Sequence, residues 1–256
     1  MRNSPIVRVQ IPDVATSSSR QGFTTSEKII QQNTSRIASL QQAIGQPSNS
    51  DLESAKYASI DLAPTKVDGL VNSVLQKFPL NNPVTIAFAS CKTDGETDKI
   101  TADVASRFAD RQVGKILLVD ANPNSQTLSE SFSLNESAGI GNVVCDDASW
   151  QSLVQPGATS GLDFLPYGTA NTAKTLRHRT AEFLKQTKEV YQFICVSVGL
   201  NESAIAKSIS DAADGIYLLV DLNRTSHLEA KAAADKFKVN NQPLIGCIAL
   251  DATQES

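Results

Sequence analysis

Apolar and polar positions divide the chain into a weakly patterned first quarter and a strongly patterned remainder. Residues 1 to about 25 are rich in Ser, Thr, Gln and Arg, and are expected to be disordered. From Ser26 to Ala43 apolar residues recur at Ile29, Ile30, Ile37 and Leu40, continuing to Ile44, which predicts a helix over 26–44. That helix reads either as a docking element for a partner or as a weak surface helix. Gly45, Pro47, Ser48 and Ser50 mark residues 45–63 as a linker, so residues 1–65 are expected to be a flexible N-terminal region. A helix follows over Lys66–Phe78, with Val67, Leu70, Val71, Val74 and Leu75 on one face.

Residues 66–256 then read as an α/β domain. Val84–Ser90, Lys115–Asp120, Tyr191–Gly199, Asp211–Asp221 and Leu244–Asp251 contain near-continuous apolar runs, the pattern of parallel strands buried on both faces. Helix-patterned segments at Thr101–Arg111, Ala173–Lys188 and Ser226–Phe237 separate them. The fold class expected is a doubly wound, mostly parallel sheet with helices on both faces. The first three strands are expected in a 3-2-1-like order around a ligand-binding switch point.

A buried strand running into a polar loop and then a helix is the setting of a phosphate-binding loop. Here the loop is Cys91-Lys92-Thr93-Asp94-Gly95-Glu96-Thr97-Asp98. A phosphate cradle needs glycines for close backbone approach, a lysine for charge and a Ser/Thr hydroxyl for Mg²⁺. Gly95 is the loop's only glycine, and no Gly-Lys-Ser/Thr triplet occurs in the chain. Asp94, Glu96 and Asp98 stand where a triphosphate would sit. Each close like-charge pair there costs about 1–4 kcal/mol, and Lys92 and Lys99 offset only part of it.

From about Pro83 onward the chain resembles the Walker-type ATPases of the MinD/ParA group, and most of all the bacterial tyrosine kinases of capsule and exopolysaccharide synthesis (CpsD/CapB/Wzc-like). The resemblance is carried by Ala102 and Ala105 in the first helix, by Leu117-Leu118-Val119-Asp120 with Pro123, Leu128 and Phe132, by Gly139-Ile140-Gly141, and by Leu162–Gly168. The Ala213-Asp214-Gly215-Ile216 strand start and the Gly246–Asp251 strand add to it. Aligned without gaps, Thr97 falls on the family's phosphate lysine and Asp98 on its Mg²⁺ hydroxyl. Asp94 and Glu96 fall on glycines, and Lys92 on an additional signature lysine. A one-residue shift brings Gly95-Glu96 onto the family's Gly-Glu but supplies no lysine followed by Ser/Thr.

The resemblance implies two strand-end aspartates and a third further on that serve Mg²⁺. Only the first survives, as Asp120; the others are Asn122 and Ser197, and the family's arginine is Asn124. Neutral side chains replace poorly the carboxylates that a hard cation prefers. The family's ring-forming helix carries Glu and Arg, whereas this one has Asp68 and no arginine. The last tyrosine is Tyr217, inside a strand, so no phosphorylated tyrosine tail is expected.

These departures imply a catalytically degenerate kinase-like protein, with Asp120 and the 92–98 loop as vestigial site residues and no cofactor. Such a protein is expected to serve as a scaffold or regulator in exopolysaccharide biosynthesis and export. Its expected partner is a membrane chain-length (Wzz-like) protein or an active kinase paralogue, in a homo- or hetero-oligomer. Two alternatives stay open: an ATP-binding tyrosine kinase or ATPase using Mg·ATP through Lys92, Lys99 and Asp120, and a ParA/MinD-like positioning adaptor.

Charge and composition narrow the partners. A net charge of −4 gives no electrostatic footprint for nucleic acid. No apolar run approaches the ~20 residues of a membrane span, and the N-terminus lacks a signal-peptide pattern. The expected location is cytoplasmic, with membrane association only through a partner. Four scattered cysteines without a C-x-x-C, and only His178 and His227, suggest no metal site.

Overall fold

The computed structural model describes residues 6–10, 64–92, 95–123, 125, 127–134, 137–157, 159–169, 176–199 and 203–251. The helix expected over 26–44 and the linker over 45–63 lie outside the described residues. Ile6–Gln10, expected to be disordered, forms strand β1, paired antiparallel with β8 (Leu244–Asp251) from Ile6↔Asp251 to Gln10↔Cys247. Ile6, Val7 and Val9 supply enough β-propensity for a short edge strand once a partner edge is present.

Helix α1 (Pro64–Lys77) leads into β2 (Val84–Ser90), α2 (Glu96–Asp110) and β3 (Ile116–Asp120). Short helices α3 (Thr127–Ser131), α4 (Ile140–Asp146) and α5 (Trp150–Leu153) precede the hairpin of β4 (Gln155–Pro156) and β5 (Leu162–Leu165). Then come α6 (Leu176–Thr187), β6 (Phe193–Gly199), α7 (Ala204–Ala212), β7 (Gly215–Asp221) and α8 (His227–Val239). The strands form one sheet in the order β1-β8-β7-β2-β6-β3-β5-β4. Among the described residues only the outermost pairs, β1/β8 and β4/β5, are antiparallel.

The central strand order corrects the 3-2-1 expectation. The third buried strand, β6, lies between the first two, pairing with β2 on one side and β3 on the other. A crossover needs to return next to β2 only through a right-handed connection, and hydropathy does not say on which side it lands.

Side chains alternate across the sheet with period two. Ile86, Phe88, Ile116 and Leu118 face one apolar layer with Val67, Leu70, Val104 and Phe108 of α1 and α2. Ala87, Ala89, Leu117 and Val119 face the other, with Ile140, Trp150, Phe183, Ile205 and Phe237. Phe108 stacks on Phe193 at 4.3 Å with an interplanar angle of 6°, fixing α2 over β6. Arg111, just past α2, donates to Asp68 at 2.7 Å and Asn72 at 2.6 Å, tying α1 to α2. Asp68, on the helix that carries ring contacts in the resembled family, is thus engaged within the chain.

Helix α2 begins at Glu96, one turn earlier than the apolar pattern suggested. Its first turn is polar, yet Thr97 and Asp98 are fully buried. That placement brings the loop's carboxylate into the site described next.

Candidate functional site

The parallel strands β2, β3 and β6 end together, and their carboxyl ends deliver Ser90, Asp120 and Ser197 to one edge of the sheet. Asp120 and Ser197 are register partners. Above them sits the first turn of α2, with Asp98 at its third position.

Asp98 is the centre of the site. Its Oδ1 accepts from Ser197 Oγ at 2.5 Å and from Asn122 Nδ2 at 3.2 Å. Its Oδ2 accepts from Ser125 Oγ, which also meets Thr127 Oγ1 at 2.7 Å. Three neutral donors therefore satisfy a carboxylate that has no exposure to water. The sequence reading placed Asp98 where a triphosphate would sit, as a charge opposing its binding; in the structure its carboxylate is buried among protein donors. A buried carboxylate needs donors, and Asn122, Ser125 and Ser197 supply them.

Asp120 is also fully buried. Its Oδ2 accepts from Ser129 Oγ at 2.6 Å and Ser129 N–H at 3.1 Å, and its Oδ1 from Asn122 N–H at 3.1 Å. Burial, and then the nearby Asp98 charge, push its carboxyl up from 3.8 to about 7. The hydrogen bonds from Ser129 and Asn122 act in the opposite direction. Ser129 Oγ also accepts from Tyr167 N–H at 3.1 Å, joining the cluster to the turn after β5.

The remaining predicted residues are spread around this pair. Lys92 Nζ points away from it, to Glu229 Oε1 at 2.8 Å near the start of α8. Glu229 also accepts from the Ser226 backbone and side chain in a capping box. Lys92 and Ser226 together hold the Glu229 carboxyl down at about 2. Gly95 precedes α2 at φ −74°, and a Cβ there would lie 2.8 Å from Thr127 Oγ1. Glu96 is half-buried in the first turn. Thr97, aligned with the family's phosphate lysine, is buried, and its Oγ1 has no partner. Thr93, Asp94 and Asn124 lie outside the described residues.

The sequence reading missed Ser125, Ser129 and Glu229. Only Glu229 carried a legible signal, the Ser226-x-x-Glu229 capping box. Ser125 and Ser129 are ordinary loop and helix-start serines until Asp98 and Asp120 are known to be buried beside them.

The donor chemistry does not fit a Mg²⁺–phosphate group. The first turn of α2 offers Thr97 and Asp98 in place of a lysine and a metal-binding hydroxyl. Each carboxylate accepts three hydrogen bonds from protein donors. Among the described residues no three His, Cys, Asp or Glu side chains gather as a metal site. Among them, too, no helix is long and apolar enough to cross a membrane.

No family model matches the chain. Over 164 residues it is 25% identical to tyrosine-protein kinase YwqD of Bacillus subtilis (strain 168), spanning 62% of this chain and 68% of that protein. Among solved structures, the kinase domain of Escherichia coli tyrosine kinase ETK superposes with a TM-score of 0.68 at 15% identity, covering 76% of this chain and 77% of that one. The BceF tyrosine kinase domain gives 0.63 at 16% identity, with 86% and 88% coverage. The cell division ATPase MinD of Pyrococcus furiosus gives 0.54 at 17% identity, with 64% and 70% coverage. At these identities the structural likeness speaks for the fold. The chain thus has the P-loop NTPase-like fold of bacterial tyrosine kinase domains and MinD-type ATPases, and its sequence is similar to that of a bacterial tyrosine kinase.

Proposed function

We propose that this chain is a catalytically degenerate tyrosine-kinase-like protein that acts by docking rather than by phosphotransfer. The observation that carries this reading is the inward-facing Asp98, satisfied by Ser197, Asn122 and Ser125 at the first turn of α2. A nucleotide's phosphates would have to displace a tethered carboxylate and then face a second one at Asp120. By the resemblance to the capsule and exopolysaccharide kinases, its role is that of a scaffold or regulator in exopolysaccharide biosynthesis and export. Its partner is a membrane chain-length (Wzz-like) protein or an active kinase paralogue. The protein works in the cytoplasm and reaches the membrane through that partner.

The test is transfer of label from γ-labelled ATP to the chain and to a generic tyrosine substrate. No transfer above that of an Asp120→Ala variant is expected. Transfer that depends on Asp120 would overturn the reading and favour an active kinase or ATPase with a divergent loop. The similarity to MinD favours a second reading, a positioning adaptor. Co-purification with a landmark protein unconnected with polysaccharide export would support it.

A further inference from the structure

Away from the strand ends, a groove of about 510 Å³ lies between α5 and the second half of α6. That volume falls within the roughly 300–1,000 Å³ of ligand-binding clefts. Trp150, the chain's only tryptophan, lines it and packs edge-on against Phe183, with ring centroids 6.4 Å apart. Its indole N–H donates to Gln186 Oε1 at 3.0 Å, and Gln186 Nε2 donates to Glu182 Oε1 at 3.3 Å. Two carboxylates, Glu182 and Glu189, line the groove against one base, Lys185. Lys188, the next base along, is drawn off to Asp214 at 2.6 Å. The carbonyl end of α6 adds negative partial charge. Val190, 47% exposed, adds apolar surface.

We propose that this groove docks a basic segment of a partner protein. An Arg or Lys side chain fits its parts: the aliphatic stem lies on Val190, and the cation beside the Trp150 ring and against Glu182 and Glu189. An acidic segment would be repelled by the same carboxylates. The inference deepens the docking reading above and rests on it for the partner's identity. The cytoplasmic segments flanking a membrane span carry an excess of Lys and Arg, which is the chemistry a membrane chain-length protein would present. The groove needs nothing from Asp98 or Asp120.

The experiment follows the Trp150 emission of the full chain while a capped Arg-Lys-Leu-Arg-Lys peptide is titrated in. A saturable change is expected, weakening as salt is added and absent when the peptide's bases are replaced by glutamate. Glu182→Gln/Glu189→Gln should weaken binding about fivefold. Lys185→Glu should tighten it about twofold, a gain that a folding defect cannot imitate. Asp110→Asn/Asp235→Asn removes the same charge from α2 and α8 and should bind as the wild type does. No saturable response, or equal weakening by both double variants, overturns the proposal. Label transfer from ATP would instead sink the reading of docking without phosphotransfer and leave the groove's affinity unchanged, so the two failures are distinct.

Discussion

Ser197 Oγ donates to Asp98 Oδ1 at 2.5 Å, joining two residues 99 positions apart in the chain. Each departs from what the kinase resemblance implies: a serine in place of a Mg²⁺ carboxylate, and a carboxylate in place of a Mg²⁺-binding hydroxyl. Together they compensate, because the hydroxyl supplies the donor that the misplaced charge requires. Two apparent losses are one local exchange of donor and acceptor.

Removing that donor is costly. Ser197→Ala leaves a buried carboxylate oxygen with only Asn122 as partner. The expected loss is about 1–3 kcal/mol, read as a lower urea midpoint with an unchanged slope. A midpoint equal to wild type would mean that the hydrogen bond contributes nothing net.

Gly199 serves the same cluster through the backbone. It ends β6 at φ +56°, and a Cβ there would fall 2.4 Å from Asn122 Oδ1. Gly199→Ala forces a side chain into a left-handed conformation and pushes Asn122 off Asp98. Destabilisation of about 1–3 kcal/mol is expected from the same denaturation measurement.

Stability should depend on pH through Asp120. In the fold its carboxyl holds a proton up to about 7, whereas its ordinary value is 3.8. Between those values the folded state binds the extra proton, so stability falls as pH rises. Asp103, pushed up by burial to about 6, acts in the same direction over a narrower window. Asp120→Asn should flatten the dependence of Tm between about pH 4 and about pH 7. Glu229 works in the opposite sense: the stability from its lowered value is present above 4.5 and is lost as pH falls toward about 2.

Lys92 belongs to the loop's outer side. Lys92→Ala should let the Glu229 carboxyl titrate upward from about 2, visible in a carboxyl-carbon NMR titration. It should leave the response to nucleotide unchanged, since Lys92 Nζ faces Glu229 rather than Asp120.

Much of the fold was legible because buried parallel strands announce themselves. Ile116–Val119 and Phe193–Val196 are apolar on both faces, and both strands proved central. The placement of β6 between β2 and β3 was not legible, because hydropathy does not encode neighbour order. Nor was β1, whose five residues gain strand character from β8's open edge. At the site, the sequence showed which side chains depart from those the resemblance implies, Asn122, Ser197, Thr97 and Asp98. It hid the replacement, because Ser125 and Ser129 acquire their roles only when α3 folds back over the strand ends. The burial of Asp98 was hidden for the same reason: a charge in a polar loop gives no sign of the donors that meet it.

The central claim, that the strand-end site is closed to nucleotide, is tested most directly by calorimetric titration of the full chain with Mg·ATP. The account predicts no heat of binding at millimolar nucleotide. Saturable micromolar binding that is lost in Asp120→Ala would contradict it.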